Sequence, residues 1–348
     1  MKSSPSRRLA IDVARGLAVL GMMVEHLIPT EGAVSPMGHW VTTISGWFTG
    51  RSASLFFVLA GMSWAIQMDR ESESPKHFAY VLRRSACLIG LGVLLHLTIW
   101  PTEVLMAIVV ALPIASLTYR LGKKAVWVAL VVVLALVPIL FGFSQTLMTK
   151  DWTDAGEPIL NLGSLPRLVF LDGCYPLLPW LAFVFSGMLL TLHKPKPVLT
   201  AVIAGTVATV VGAVETFSHI DPKSLWASEW VPTTIPFLMI CGGVALLVIG
   251  VSEALEEKLL RSKIIQSLGT IGQTSLTHYL GHILILVLPL RHWYPAEEWP
   301  TRIGLIAYVG YMPFAMIVTP LWLKRFRKGP IEVLFDGITR SGWKSYAT

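Results

Sequence analysis

The chain has 348 residues, 54% of them hydrophobic and only 14% charged, with a mean hydropathy of +0.64. That balance excludes a water-soluble domain and points to a polytopic membrane protein folded as one continuous bundle. The net charge of +7 is carried by Lys and Arg clusters lying between apolar runs, as the positive-inside rule demands of cytoplasmic loops, so nucleic acid is not an expected partner.

The first apolar stretch, residues 9–28, reads LAIDVARGLAVLGMMVEHLI and carries Asp12, Arg15, Glu25 and His26. Ionisable side chains are costly in hydrocarbon, so inside a span they face protein or a water-filled cavity and by default mark a functional path. The preceding MKSSPSRR resembles the start of a signal peptide. Asp12 and Arg15 nevertheless interrupt the apolar run and no small-residue cleavage site follows, so the segment is expected to stay attached. Ten residues, GLAVLGMMVE, separate Arg15 from His26, which at helical rise sets the two roughly 16 Å apart along one rigid rod.

With residues 10–29 as the first, nine further spans are predicted at residues 52–68, 84–100, 103–119, 125–143, 176–192, 198–216, 233–251, 270–290 and 303–323. Each is long enough for a hydrocarbon core of ~30 Å, and each must be a helix because lipid satisfies no backbone group. Placing Lys2, Arg7 and Arg8 inside also puts Arg83 and Arg84, Lys123 and Lys124, Lys194 and Lys196, and the Lys324, Arg325, Arg327 and Lys328 cluster inside. Both termini are therefore predicted in the cytoplasm.

On the outer side, residues 144–175 form one long connection, and residues 29–50, with His39, Trp40 and Trp47, form another. Connections of that length without obvious structure are more often functional than idle, and together they are expected to cap an outward cavity. Cys87, Cys174 and Cys241 show neither metal-ligand nor disulfide spacing. No inverted repeat of the kind found in secondary transporters is evident.

Asp12 and Arg15 sit at i and i+3. They either neutralise each other at the cytoplasmic interface or present a guanidinium fork to an anion arriving from that side. His26, near the outer end, is either a packing residue or a proton acceptor; imidazole is the side chain best suited to proton transfer near neutral pH. His96 precedes Glu103 across the turn TIWPTE, and the pair is either an interfacial turn or a substrate-orienting couple. His278 and His282 in TSLTHYLGH share a face at i and i+4, a spacing usable for metal but read here as polar lining, with no metal site expected. Tyr175 and Trp180 are read as acceptor-side wall or lipid anchors. Arg51 is read as an anion or oxyanion ligand or as a snorkelling interfacial residue.

The pattern Arg15, ten residues, His26 resembles the Arg/Lys-x10-His signature of acyltransferase-3-type membrane acyltransferases, and GRSASLFFVLAGMSWAI (residues 50–66) resembles their second helix. IDVARG (11–16), GVLLHLTIWPTEVL (92–105), YPLLPWLAFVFSGM (175–188), GQTSLTHYLGH (272–282) and RFRKGPIEVLF (325–335) resemble the related YeiB-like and heparan-α-glucosaminide N-acetyltransferase-like branches. The resemblance runs from the first helix to the tail. It implies transfer of an acyl group, commonly acetyl, from cytoplasmic acetyl-CoA or another acyl-CoA to an extracytoplasmic carbohydrate or glycoconjugate. In that scheme Arg15 holds CoA phosphates, and His26 deprotonates the acceptor or carries the acyl group. The heparan-type enzymes keep a catalytic histidine in the first outer loop, where His39 is a loose match. Many YeiB-like sequences have asparagine where His26 stands.

The sequence thus predicts an all-α bundle of about ten transmembrane helices, residues 1–348 forming one integral domain in contact with lipid at the plasma (inner) membrane. His26 and His39 are the candidate catalytic residues, with Asp12, Arg15, Arg51, His96, Glu103 and His278 as substrate-binding candidates. Related proteins include dimers, which makes a homodimer one expectation. The alternatives are a secondary transporter of a small solute or lipid-linked intermediate, built from the same intramembrane charges, and a non-catalytic scaffold.

Overall fold

Hydrocarbon offers no partner to a loose peptide group, so a chain this apolar must close its backbone hydrogen bonds within each segment. The computed structural model describes residues 9–28, 36–71, 75–98, 104–147, 169–170, 173–218, 220–221, 224–229, 233–259, 261–294 and 299–339, and all regular structure among them is helical. The helices are α1 (Leu9–Leu27), α2 (Pro36–Gly46), α3 (Arg51–Glu71), α4 (Pro75–Thr98), α5 (Leu105–Arg120), α6 (Lys123–Leu147), α7 (Leu177–His193), α8 (Pro197–Phe217) and α9 (Ile235–Ala254). They continue as α10 (Glu256–Leu259), α11 (Lys263–Gln273), α12 (Ser275–His282), α13 (Leu288–Trp293), α14 (Thr301–Phe326) and α15 (Pro330–Thr339), with a π-helical turn at Ile283–Val287 between α12 and α13.

Every predicted stretch overlaps a helix, but among the described residues only four helices combine the length and apolarity to cross a membrane: Lys123–Phe143, Pro197–Phe217, Ile235–Ala254 and Thr301–Phe326. A fifth crossing is available if Lys263–Gln273 and Ser275–Trp293, bent by 79°, count as one broken span. For three of the predicted spans the shortfall has a physical cause. α1 carries Asp12, Arg15 and Glu25 within its 19 residues. α5 and α7 have 16 and 17 residues, which at ~1.5 Å per residue falls short of a full hydrocarbon core.

The chain divides into two compact units, Met1–Phe56 with Val248–Leu334, and Phe57–Leu247 with Phe335–Thr348. In the first, α1 lies along α11 and also meets α2, α12 and α14. It is buried almost all round, with only Leu17 clearly exposed, as befits a core helix rather than a lipid-facing anchor. Small residues allow the contact. A Cβ on Gly272 would overlap the carbonyl oxygen of Asp12, and one on Gly16 would overlap that of Leu268. At the other end, a Cβ on Gly304 of α14 would overlap the Leu27 carbonyl, which accepts a hydrogen bond from Trp299 Nε1 at 2.8 Å. Helices that gain nothing from hydrophobicity in lipid associate through such close backbone approach.

In the second unit, α7 packs against α5 and α6, and α4 packs against α5. Gly61 and Gly187 meet reciprocally, each facing a carbonyl of the opposite helix, Val184 and Val58 respectively. Trp180 is fully buried among Phe57, Tyr175, Phe183 and Phe237 and donates its indole N–H to Thr233 Oγ1 at 3.2 Å. Tyr175 and Trp180 are therefore core residues of this unit, neither wall nor lipid anchor.

The glycine contacts make a specific demand on sequence. Replacing Gly272 by Ala is expected to cost at least about 1–3 kcal/mol, the usual range for overpacking. Gly310→Ala, on the same unit with nothing within 4 Å of a new Cβ, should leave stability unchanged or slightly raised. Thermal unfolding of the two detergent-solubilised variants checks this; equal melting temperatures would mean the α1–α11 contact is slack.

Candidate functional site

Along α1, an offset of eleven residues returns to within about 20° of the same face after three turns, so Arg15 and His26 share one stripe of the helix. Arg15 is held by Asp12, Nη1 to Oδ1 3.2 Å, with the Asp12 side chain 4% and the Arg15 side chain 19% exposed. Near the opposite end, His26 is 9% exposed and its Nδ1 lies 2.8 Å from Nε2 of His282. The ring centroids are 5.1 Å apart and the planes differ by 16°. Rings that far apart with nitrogens that close meet edge to edge in nearly one plane, the geometry of a directed hydrogen bond.

His282 reaches His26 because the second half of the broken span is held rigidly. Its Nδ1 lies 2.9 Å from the carbonyl oxygen of His278, one turn earlier. His278 itself is clasped by two hydroxyls of α14: Nδ1 lies 2.9 Å from Tyr311 Oη and Nε2 lies 3.0 Å from Thr319 Oγ1. His282 is fully buried, and the π-helical turn begins at the next residue, a local irregularity that recurs at functional sites.

The start of α12 is fixed from the tail. The Glu332 carboxylate accepts from the amides of Leu276 and Thr277 at 2.9 and 3.1 Å and from the Thr277 hydroxyl. Thr277 Oγ1 in turn accepts from the amide of Ile331 at 3.1 Å. A Cβ at Gly329 would collide with both the Glu332 carboxylate and the Thr277 hydroxyl, which is why the segment reads KGPIE. An acid at a helix N-terminus satisfies orphan donors and complements the helix dipole.

Glu25, next to His26, ties α1 to the start of α3. Its Oε2 accepts from the Gly50 amide at 3.4 Å, and it also interacts with the Ser52 hydroxyl and the charge of Arg51. Gly50 has φ +71°, a turn conformation that favours glycine. Arg51 is half-buried and also donates to the Thr49 carbonyl at 3.5 Å.

Of the sequence candidates, His26 and His278 therefore join one buried polar chain through His282, and Asp12 and Arg15 form an ion pair farther along α1. Arg51 serves Glu25. His96 is buried at the end of α4 in the second unit. His39 lies on α2, whose backbone packs on α1 and α14, while its side chain and Glu103 lie outside the described residues, as does most of the 144–175 connection. No three His, Cys, Asp or Glu side chains converge among the described residues in a way that could hold a metal. Sequence reasoning overlooked His282 as the direct partner of His26, and overlooked Glu332 altogether. The i, i+4 histidine pair was the available signal for the first, whereas a cap supplied from 55 residues away leaves none.

Fold and site together define an all-helical membrane protein with a buried imidazole pair bridging its first helix and a broken helix near its end. The model of the family described as heparan-alpha-glucosaminide N-acetyltransferase, catalytic, matches residues 7–200, more than half of the chain, and the chain belongs to that family. The model of a protein of unknown function (DUF418) matches residues 184–341. The chain is also 21% identical over 401 aligned positions to the Uncharacterized protein YxaH of Bacillus subtilis (strain 168), covering 97% of this chain and 95% of that protein. Membership makes this a membrane acetyltransferase-like protein.

Removing the tail cap tests how the site is supported. Glu332→Ala leaves two helix amides and a hydroxyl without their acceptor and should cost about 1–3 kcal/mol, read as a lower melting temperature. An unchanged melting temperature would mean solvent replaces the carboxylate without loss.

Proposed function

We propose that the protein is a membrane-embedded acyltransferase that moves an acyl group, most simply acetyl, from cytoplasmic acyl-CoA to a carbohydrate or glycoconjugate on the far side. Both termini lie in the cytoplasm in this reading, and the chain crosses the membrane about ten times, with α1, α3, α4, α5 and α7 crossing in addition to the four apolar helices and the broken span. The observation that carries the proposal is the pairing of His26 with His282 on the helix that also bears Arg15, within a chain of this family.

The chemistry follows from which nitrogen is occupied. With Nδ1 of His26 bonded to His282, the reacting nitrogen is Nε2. It takes the proton from an acceptor hydroxyl or amine as that atom attacks the thioester carbonyl; the new C–O or C–N bond forms, the C–S bond breaks, and the proton passes to the departing CoA thiolate. The same lone pair can instead attack the thioester, the C–S bond breaking and CoA leaving as thiolate, to give an acyl-imidazole; the acceptor then attacks it, breaking the C–N bond and giving up its proton as the imidazole is restored. Acid-quenched protein incubated with labelled acetyl-CoA alone separates the routes, since only the second leaves label on the protein.

At the other end of the stripe, Arg15 receives CoA phosphate. Asp12 aims the guanidinium through its contact with Nη1, and the planar fork of a guanidinium matches phosphate geometry. His39 on α2 and Arg51 beside Glu25 are acceptor-side groups in this reading, and His96 and Glu103 bind substrate from their own segments. A transporter is the second reading, favoured by the 79° break between α11 and α12, because broken helices commonly form solute sites in transporters. Against it, the half-helix N-terminus that would attract an anion is already filled by Glu332.

Purified protein given labelled acetyl-CoA and a glucosamine glycoside should transfer label to the sugar. His26→Gln should lose at least about 100-fold of that rate with an unchanged melting temperature, as general-base loss costs 10²–10⁴. Wild-type turnover in His26→Gln would end the assignment. Arg15→Ala should weaken acetyl-CoA binding about tenfold or more while the rate at saturation falls less; unchanged CoA affinity removes the clamp.

A further inference from the structure

We propose that His282 is the positioning residue of this site: it locks His26 in the tautomer that places the basic lone pair on Nε2. The inference deepens the reading of His26 as base or acyl carrier and, for its catalytic consequence, rests on it.

A carbonyl oxygen can only accept. The oxygen of His278 lies 2.9 Å from His282 Nδ1, so that nitrogen carries the hydrogen. In a singly protonated imidazole the other nitrogen is then an acceptor. That nitrogen, Nε2 of His282, faces Nδ1 of His26 at 2.8 Å, so Nδ1 of His26 must donate. Its single proton is thereby assigned, and Nε2 of His26 is left with the lone pair. A backbone atom thus sets, through one ring, the chemical identity of the next. Both rings are buried, and leaving either nitrogen of the contact unsatisfied would cost the full desolvation of a buried polar group.

The arrangement is a lock and not a proton wire. A wire needs a site beyond His282 that can take a proton, and a peptide carbonyl is no such base. The His278 ring does not continue the path, because both its nitrogens are turned to Tyr311 and Thr319. It differs from a Ser-His-Asp arrangement as well, in which an anion both orients the histidine and stabilises its charged form. Here the orienting partner is neutral and supplies no counter-charge, so the departing thiolate is the anion that forms as His26 takes the proton. The ring contact thus supplies orientation, in a surrounding that also feels the charge of Arg291.

The test uses the full chain, solubilised and labelled with 15N-histidine, the His26 resonances being assigned by their loss in His26→Gln. The wild type should show a pyrrole-type Nδ1 and a pyridine-type Nε2 at His26; the reverse tautomer overturns the proposal. His282→Leu removes the acceptor and should shift His26 toward Nε2–H. It should also lower kcat by about 100-fold or more, the wrong tautomer in a catalytic triad costing up to ~10⁴, with KM for acetyl-CoA within about twofold of wild type. His282→Gln offers a carbonyl oxygen to Nδ1–H and should recover at least tenfold of the loss; a Gln variant no better than Leu, with equal melting temperature, also overturns it. The two readings fail separately: if the tautomer is as stated but His26→Gln turns over normally, the base assignment falls and the lock remains.

Discussion

A 2.8 Å hydrogen bond between two imidazoles joins the first helix to one 256 positions later in the chain, and the organisation of this unit follows from keeping those two rings in register. An edge-to-edge contact between buried rings tolerates little displacement, because hydrogen-bond strength falls steeply with distance and angle. The helices bearing them must therefore be fixed at short range. On the α1 side this is done by backbone contact at Gly16, Gly272 and Gly304. On the other side it is done by polar staples: Glu332 on the amides of α12, and Tyr311 and Thr319 on His278. Small residues supply proximity where lipid gives no hydrophobic drive, and hydrogen bonds supply orientation.

The break between α11 and α12 then has a purpose within the unit. A continuous helix through Gln273 and Thr274 would keep α12 in line with α11. Bending by 79° separates the direction that serves close packing on α1 from the direction that delivers His282. The helix terminus exposed by the bend is an anion-attracting end, and the chain fills it with its own carboxylate from α15. Tail and first helix thus contribute to one site, although they are the two extremes of the sequence.

Much of this was legible in the chain. The charges of Asp12, Arg15, Glu25 and His26 inside an apolar run marked α1 as buried in protein, and it is. Among the described residues the apolar runs located each of the four helices of spanning type and the broken one, because helices are the only local solution in hydrocarbon. What the sequence could not show were the contacts made at long range. His278 and His282 share a helix face at i, i+4, which a sequence reader sees as a polar stripe; that one of them would meet His26 depends on a bend at Thr274 that carries neither Pro nor Gly at the break. Trp180 and Tyr175 read as interfacial because aromatic residues often are, yet α7 is enclosed on several sides and buries them in an aromatic cluster. The Glu332 cap was invisible for a simpler reason: nothing at position 332 announces a helix start some 55 residues earlier.

If this buried pair serves chemistry across a membrane, donor and acceptor are consumed on opposite sides of it. The most direct measurement seals the protein in vesicles loaded with glucosamine and glucose glycosides and supplies labelled acetyl-CoA outside only. Labelled sugar should appear inside the vesicles, in amounts that collapse when His26 is replaced. Label that stays on CoA while unmodified glycoside crosses the membrane would contradict it and make the protein a carrier.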